Sequence, residues 1–295
     1  MKESSGIALK YLGPSLILIG LFFVVPILDS FRLSFFRLIL TFPWLGQKFV
    51  GLENYQDLFT DPIAFKSLMT TLIFVGVTTS LEVVLGLGIA LVLNEWFRGR
   101  GLLRALVLIP WAIPTVVSSQ MWRFIFNDQY GVLNIFLFGT VQESYLAPLA
   151  DPVLAPVAII IAEVWKTTSF AALIILAGLQ SIPDDLYEAG SIDGMSSWQR
   201  FRHITLPLVK PALLLALLFR TIDALRVFDL VFVMTQGGPA DATNVIQYYG
   251  YKKIFAEGMV GYGSAVAVGI FLVSLLLSLF YIRTLGARLL ESGGK

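Results

Sequence analysis

The chain has 295 residues, 57% of them apolar and only 14% charged, where an ordinary soluble domain carries roughly 25% charged residues. So few charges cannot cover the surface of a soluble protein of this length, which excludes a water-soluble enzyme, a disordered chain and a collagen-like repeat. A net charge of +1 leaves no basic face for nucleic acid, and the absence of cysteine beside a single histidine removes the ligands for disulfides, iron–sulfur clusters and zinc.

Uncharged stretches mark the membrane spans, because a charge near the bilayer centre costs roughly 2.5–3.5 kcal/mol. Three long runs, Tyr11–Leu28, Ala105–Trp122 and Gly258–Ile282, are each close to the length a helix needs to cross. Three more are interrupted by charges: Leu68–Leu93 by Glu82, Val153–Gln180 by Glu163 and Lys166, and Leu206–Thr235 by Lys210, Arg220, Asp223, Arg226 and Asp229. The expected architecture is an all-α membrane protein of six spans, at about 11–31, 68–94, 104–126, 153–180, 206–235 and 258–282, in one domain over 1–295. The first run lacks a small-x-small cleavage site after Leu28 and reads as a retained helix instead of a signal sequence.

Lysine and arginine in the short connections set orientation. Lys2, Lys10, Arg98, Arg100, Arg104, Arg200, Arg202, Lys210, Arg283, Arg288 and Lys295 fall on the side of the termini, and the opposite loops are poorer in basic residues. The outer loop 127–152 holds Asp128, Glu143 and Asp151 with no lysine or arginine. Both termini are therefore expected in the cytoplasm. In the third span Pro110 and Pro114 remove backbone donors and predict a bend, serving either packing or a gating hinge.

The connection between the fourth and fifth spans, about 183–207, is amphipathic and punctuated. Pro183-Asp184-Asp185 opens a helix with acids at the positive end of its dipole; Leu186, Ala189 and Ile192 share one face, and Gly194 ends it in a left-handed turn. Trp198, Phe201 and Ile204 form a second apolar face before Leu206-Pro207 restarts the membrane helix. By periodicity alone this is equally an interfacial helix parked under its own bundle.

Within that loop, Glu188-Ala189-Gly190-Ser191-Ile192-Asp193-Gly194 followed by Ile204-Thr205-Leu206-Pro207 resembles the EAA motif of binding-protein-dependent ABC importer permeases. Gly51-Leu52-Glu53-Asn54-Tyr55, Ile109-Pro110-Trp111-Ala112-Ile113-Pro114 and Thr235-Gln236-Gly237-Gly238-Pro239 are similar to the maltose-type sugar permeases, the last in the manner of the first of two non-identical permeases, near the trehalose and glucosylglycerol types. Glycine at 190 departs from the alanine the family often has there. The resemblance implies a permease subunit in the bacterial cytoplasmic (inner) membrane, carrying a sugar or small glycoside inward. Its implied partners are a second, non-identical permease, two ATPase subunits and an extracytoplasmic sugar-binding protein, with ATP and Mg on the ATPase and no cofactor on this chain. It makes Glu188, Ala189, Gly190, Asp193, Gly194, Ile204, Leu206 and Pro207 the ATPase-coupling positions; Asp193 as a charged contact and Gly194 as the turn are physical assignments.

Charges within the spans admit two readings. Either Glu163, Lys166, Arg220, Asp223 and Arg226, with Gln120, Trp122, Thr167 and Thr168, line the sugar path, or the ions neutralise one another and fix the packing of the helices. Arg220, Asp223, Arg226 and Asp229 recur every third residue, and on a continuous helix the first three sweep one side while Asp229 faces away. Lys166 is expected about as deep as Arg220–Asp223, with Asp223 or another carboxylate nearby, either directly or through water, and Glu82 is expected to pair with an arginine. The competing class is a proton-coupled secondary transporter using Glu82, Glu163 and Asp223, which leaves the EAA pattern unexplained. A membrane enzyme would need a cluster of His, Asp and Glu or a nucleophile with its base, and the sequence offers neither; nor does any Gly-Lys-Ser/Thr occur for ATP.

Overall fold

The computed structural model describes residues 2–139 and 146–292; Glu143 and Lys295, counted above for orientation, lie outside the described residues. The helices in chain order are α1 (Lys2–Ile19), α2 (Val25–Ser34), α3 (Glu53–Thr60), α4 (Pro62–Asn94), α5 (Arg100–Ala112), α6 (Thr115–Ile125), α7 (Val132–Phe138), α8 (Leu154–Leu179), α9 (Asp184–Ile192), α10 (Ser197–Arg200), α11 (Leu206–Leu225), α12 (Asp229–Met234), α13 (Ile246–Tyr251) and α14 (Val260–Ser292). Phe36–Arg37 and Lys48–Phe49 pair as a short antiparallel ribbon. The all-α expectation describes nearly everything else. Tyr11–Ser34, α4, α8 and Val260–Arg283 are each long and apolar enough to cross a membrane, and α5 with α6 adds a fifth if that bent pair is one span.

Two of the expected spans are not single helices. α5 and α6 meet at 89°. The helix runs through Pro110 and breaks at Ile113, whose extended backbone (φ −73°, ψ 131°) is what the ring of Pro114 imposes on the residue before it. Pro114, and not Pro110, is thus the source of the bend. The fifth expected span ends at Leu225, and α12 starts afresh at Asp229 after an irregular turn. Val227 and Leu230 are thereby buried, and the acid at 229 sits in the first turn of a new helix, where the dipole favours it.

Prolines also explain wide turns in otherwise continuous helices. A π turn, Phe201–Thr205, leads directly into α11, with the Leu206 amide bonded to the Phe201 carbonyl. Pro207 lacks an N–H and its ring crowds the carbonyl four residues back, so the preceding turn widens. The chain is therefore helical from Ser197 to Leu225 and does not restart at Leu206. Gly20–Val24 is a second such turn, just before Pro26.

The chain falls into two compact units. One is built from the segment up to Phe65 together with Tyr249–Leu272. There Asn54 donates to the carbonyls of Ser34 (2.8 Å) and Phe36 (3.0 Å), Tyr55 meets Ser34 at 2.7 Å, and Glu53 pairs with Arg37, so Gly51-Leu52-Glu53-Asn54-Tyr55 is a clasp on the end of α2. Asp61 closes the unit's other polar knot: Oδ1 caps α4 through the Ile63 and Ala64 amides, and Oδ2 accepts from Tyr249 (2.5 Å) and Tyr262 (3.3 Å).

The second unit holds Lys66–Tyr248 and the segment from Val273 onward. Its core joins Ala90 and Leu93 of α4, Ala171, Ile175, Leu176 and Leu179 of α8, and Val209 and Ala216 of α11. Small residues allow the close approach: a Cβ on Gly178 would lie 2.3 Å from that of Ala212, and one on Gly86 3.1 Å from that of Ala171.

Candidate functional site: a coupling loop and a polar cavity

The loop 183–207 is built as a rigid projection. α9 begins behind Pro183 with Asp184 and Asp185 in its first turn. It ends in a Schellman turn: Gly194 N–H donates to Ser191 O (3.2 Å), Met195 N–H to Gly190 O (2.9 Å), and Gly194 has φ +76°. The chain returns through a capping box, with Gln199 N–H on Ser196 Oγ and Ser196 N–H on Gln199 Oε1. Three contacts fasten the two limbs: Arg200 to Ser191 Oγ (2.6 Å), Tyr187 to Thr205 (3.0 Å), and Gly190 packed against Ile204.

That bracing leaves one apolar stripe uncovered. Ile192 is 86% exposed, and Leu186 and Ala189 face outward with Glu188 and Asp193, while Gly190 is buried. The stripe is therefore not packed under its own bundle. Tyr187 and Ile204 lie against the α4–α8–α11 core instead, so the projection is anchored to the helices behind it. Leu206 and Pro207 are exposed at the foot of α11.

The charged residues divide into a buried knot and a cavity wall. Arg220, 2% exposed, donates to Glu82 Oε2 (2.5 Å) and Oε1 (3.2 Å), to Glu163 Oε1 (3.0 Å) and to Asp223 Oδ2 (2.6 Å), which ties α4, α8 and α11 together. Thr167 donates to Glu82 Oε1 at 2.7 Å. One guanidinium thus faces three carboxylates, the fork geometry for which arginine is suited.

Lys166 shares the cavity lining with Glu163 and Asp223 but forms no direct ion pair with either. Its ammonium donates to the carbonyls of Ile113 (2.7 Å) and Trp111 (3.4 Å), and no carboxylate of the described residues lies within ion-pair distance. Arg220 holds Asp223, and the break before Pro114 supplies Lys166 with free carbonyls instead.

In front of the knot lies a cavity of about 200 Å3 lined by Trp111, Thr115, Glu163, Lys166, Thr167, Asp223, Arg226, Val227, Phe228, Asp229 and Leu230. It gathers Glu163, Lys166, Thr167, Asp223 and Arg226 of the path candidates. Arg220 sits behind the wall, Thr168 is buried and satisfied by Val164 O (2.6 Å), and Gln120 is exposed elsewhere on α6. Trp122 stacks on Phe126 and meets Trp165 edge-on, away from the cavity lining. Asp229, expected to face away, joins the lining because the helix breaks at Arg226. Trp111, Thr115 and Phe228 were not among the sequence candidates; the Trp-Ala-Ile-Pro run was the one available signal for the first two.

A helical membrane unit with a braced exposed loop at one end and a polar cavity between its helices is the arrangement of a transport permease. Residues 82–290 match the family described as binding-protein-dependent transport system inner membrane component, and the chain belongs to that family. Its sequence is 44% identical over 270 residues to the trehalose/maltose transport system permease protein MalF of Thermococcus litoralis, covering 92% of this chain and 90% of that one. It is 39% identical to the sulfoquinovosyl glycerol transport system permease protein SmoG of Agrobacterium fabrum (94% and 89%), and 40% identical to the trehalose transport system permease protein SugA of Mycobacterium tuberculosis (81% and 76%). Among solved structures, a chain of a bacterial ABC transporter involved in import of the acidic polysaccharide alginate superposes with a TM-score of 0.82 at 22% identity, over 97% of this chain and 96% of that one, a likeness of fold.

Proposed function

We propose that this chain is a permease subunit of an ATP-binding-cassette importer that moves a sugar or small glycoside into the cytoplasm across the bacterial inner membrane. Six spans with both termini cytoplasmic, α5 and α6 together forming the third, is the topology this reading adopts. Loop 183–207 then faces the cytoplasm and seats on an ATPase subunit. The observation that carries the reading is the uncovered stripe of α9: an apolar and acidic face held rigid by a Schellman turn, a capping box and two side-chain clamps, yet left exposed by the described residues.

The polar cavity supports a polyhydroxylated cargo, since donors and acceptors of both signs line it beside the indole of Trp111. ATP and Mg belong to the partner ATPases, of which there are two; a second, non-identical permease completes the pathway and an extracytoplasmic binding protein delivers the sugar. A proton-coupled carrier is less well supported, because Glu82, Glu163 and Asp223, the carboxylates it would titrate, are all engaged by Arg220.

The test is reconstitution. The chain co-expressed with the second permease, the ATPase and the binding protein is expected to take up a sugar in an ATP-dependent manner. Co-expression with the ATPase alone is expected to give none. Uptake driven by a proton gradient without ATP overturns the proposal.

A further inference from the structure

We propose that Lys166 is a positioning residue: its ammonium caps the broken carboxyl end of α5 and holds the α5–α6 bend, thereby setting where Trp111 and Thr115 stand in the cavity wall. Its bearing on sugar passage rests on the permease reading above; the bend itself does not.

The last carbonyls of a helix have no partner within it, and they carry the negative end of its dipole. α5 ends in this way beside α8, with Ile113 half-buried, since Pro114 forces Ile113 out of the helix and offers no N–H of its own. Lys166, 8% exposed on the facing α8, places its ammonium 2.7 Å from Ile113 O and 3.4 Å from Trp111 O. A buried lysine without a direct ion pair is costly, and so are the open carbonyls of a helix end that meets no donor. Here each satisfies the other.

A second contact acts at the same point. Phe170, four residues along α8 from Lys166, stacks on Trp111 with ring centroids 5.7 Å apart and planes 18° apart. The ammonium thus holds the backbone and the phenyl ring holds the indole. Glu163 and Asp223, the acids nearest the cavity end of α8 and α11, are both occupied by Arg220, which leaves Lys166 to the carbonyls. The tie to Arg220 through Glu163, one turn earlier on α8, makes the bend continuous with the α4–α8–α11 knot.

The chain has no cysteine, so spin labels can be placed at will. Leu102 and Met121, both exposed, lie on either limb of the bend. At 1.5 Å per residue they are about 28 Å apart along a straight helix and about 20 Å apart across a right-angle bend. In the assembled complex without sugar, Lys166→Met is expected to lengthen this distance by several ångströms, and Lys166→Arg to restore both the distance and uptake. Lys166→Gln, whose amide stops one bond short of the ammonium, is expected to lengthen it as well and keeps a polar group if the methionine variant fails to assemble. A distance unchanged in the Met or Gln variant while uptake falls overturns the inference and makes Lys166 a direct contact of the cargo. The distance is read without transport, so failure of the sugar-permease reading shows separately, as no uptake by the unsubstituted complex.

Discussion

Arg220 and Glu82 meet through two hydrogen bonds, 2.5 Å to Oε2 and 3.2 Å to Oε1, with neither side chain more than 2% exposed. The pair joins α11 to α4, and Glu163 and Asp223 occupy the rest of the guanidinium. Removing one partner of a buried pair strands the other charge, at a cost of about 3–5 kcal/mol. Arg220→Met is therefore expected to abolish assembly, Glu82→Gln to weaken it less because the amide still accepts one bond, and Asp223→Asn to be mildest because that side chain is 60% exposed. Yield of assembled complex and thermal unfolding in detergent give the ranking. An Arg220→Met complex as stable as the unsubstituted one would remove the knot from any structural role.

Gly194 and Gly190 give opposite expectations for adding a side chain. Gly194 is at φ +76°, where a β-branched residue is strained by more than about 1 kcal/mol. Gly194→Val should unwind the end of α9 and depress sugar-stimulated ATPase activity, and Gly194→Asn should be tolerated. At Gly190 a Cβ would come closest to Ile204 Cδ1 (3.1 Å) and Met195 Sδ (3.3 Å), the far ends of flexible side chains, with Arg200 Cγ at an ordinary contact distance of 3.6 Å. Gly190→Ala is expected to stabilise α9 by about 1 kcal/mol at most, with transport unchanged. Loss of transport in the alanine variant would mean that Ile204 cannot give way.

Asp61, just before α4, ties the start of that helix to Tyr249 of α13 and Tyr262 of α14, and its carboxyl is held below the usual carboxylate range. Burial pushes it up, but the Tyr249 hydroxyl, the Ile63 and Ala64 amides and the charge of Lys253 together outweigh that. A group whose pKa is lower in the folded state contributes stability above its unfolded pKa and loses it as pH falls through the folded one. Thermal stability is thus expected to drop below about pH 4, with a smaller drop in Asp61→Asn. Parallel pH profiles for the two proteins would show the stabilisation to lie elsewhere.

Four long apolar helices, the bent α5–α6 pair and the loop were legible because each follows from a local rule. Uncharged runs mark helices that cross lipid, and Pro183-Asp184-Asp185 with Gly194 brackets α9 to the residue. The Ser196–Gln199 capping box was equally available in the sequence. What sequence could not give is partner choice in three dimensions. Lys166 and Asp223 line the same cavity, yet Arg220 captures the acid, because a planar guanidinium can serve three carboxylates at once while the ammonium finds carbonyls at a helix end. The break after Leu225 was equally hidden, since no proline or glycine marks it and only burial of Val227 and Leu230 explains it. It is this break that turns Asp229 into the cavity.

Pro207 connects the loop to the span, and its replacement tests whether that connection has a register. The π turn Phe201–Thr205 adds one residue to the helical path between the capping box at Ser196 and the Arg220 knot. Pro207→Ala restores an N–H and removes the ring, so the turn can close to α geometry. Each residue contributes about 100° of rotation, so closing it would swing Ile204 and Thr205 off Gly190 and Tyr187 unless the core resists. Complexes carrying Pro207→Ala are expected to assemble and hydrolyse ATP, while the stimulation of that hydrolysis by sugar-loaded binding protein falls several-fold. Hydrolysis and its stimulation measured side by side separate the cases: a loss of both means the loop no longer docks, and full stimulation means that the wide turn carries no signal between α9 and the spans.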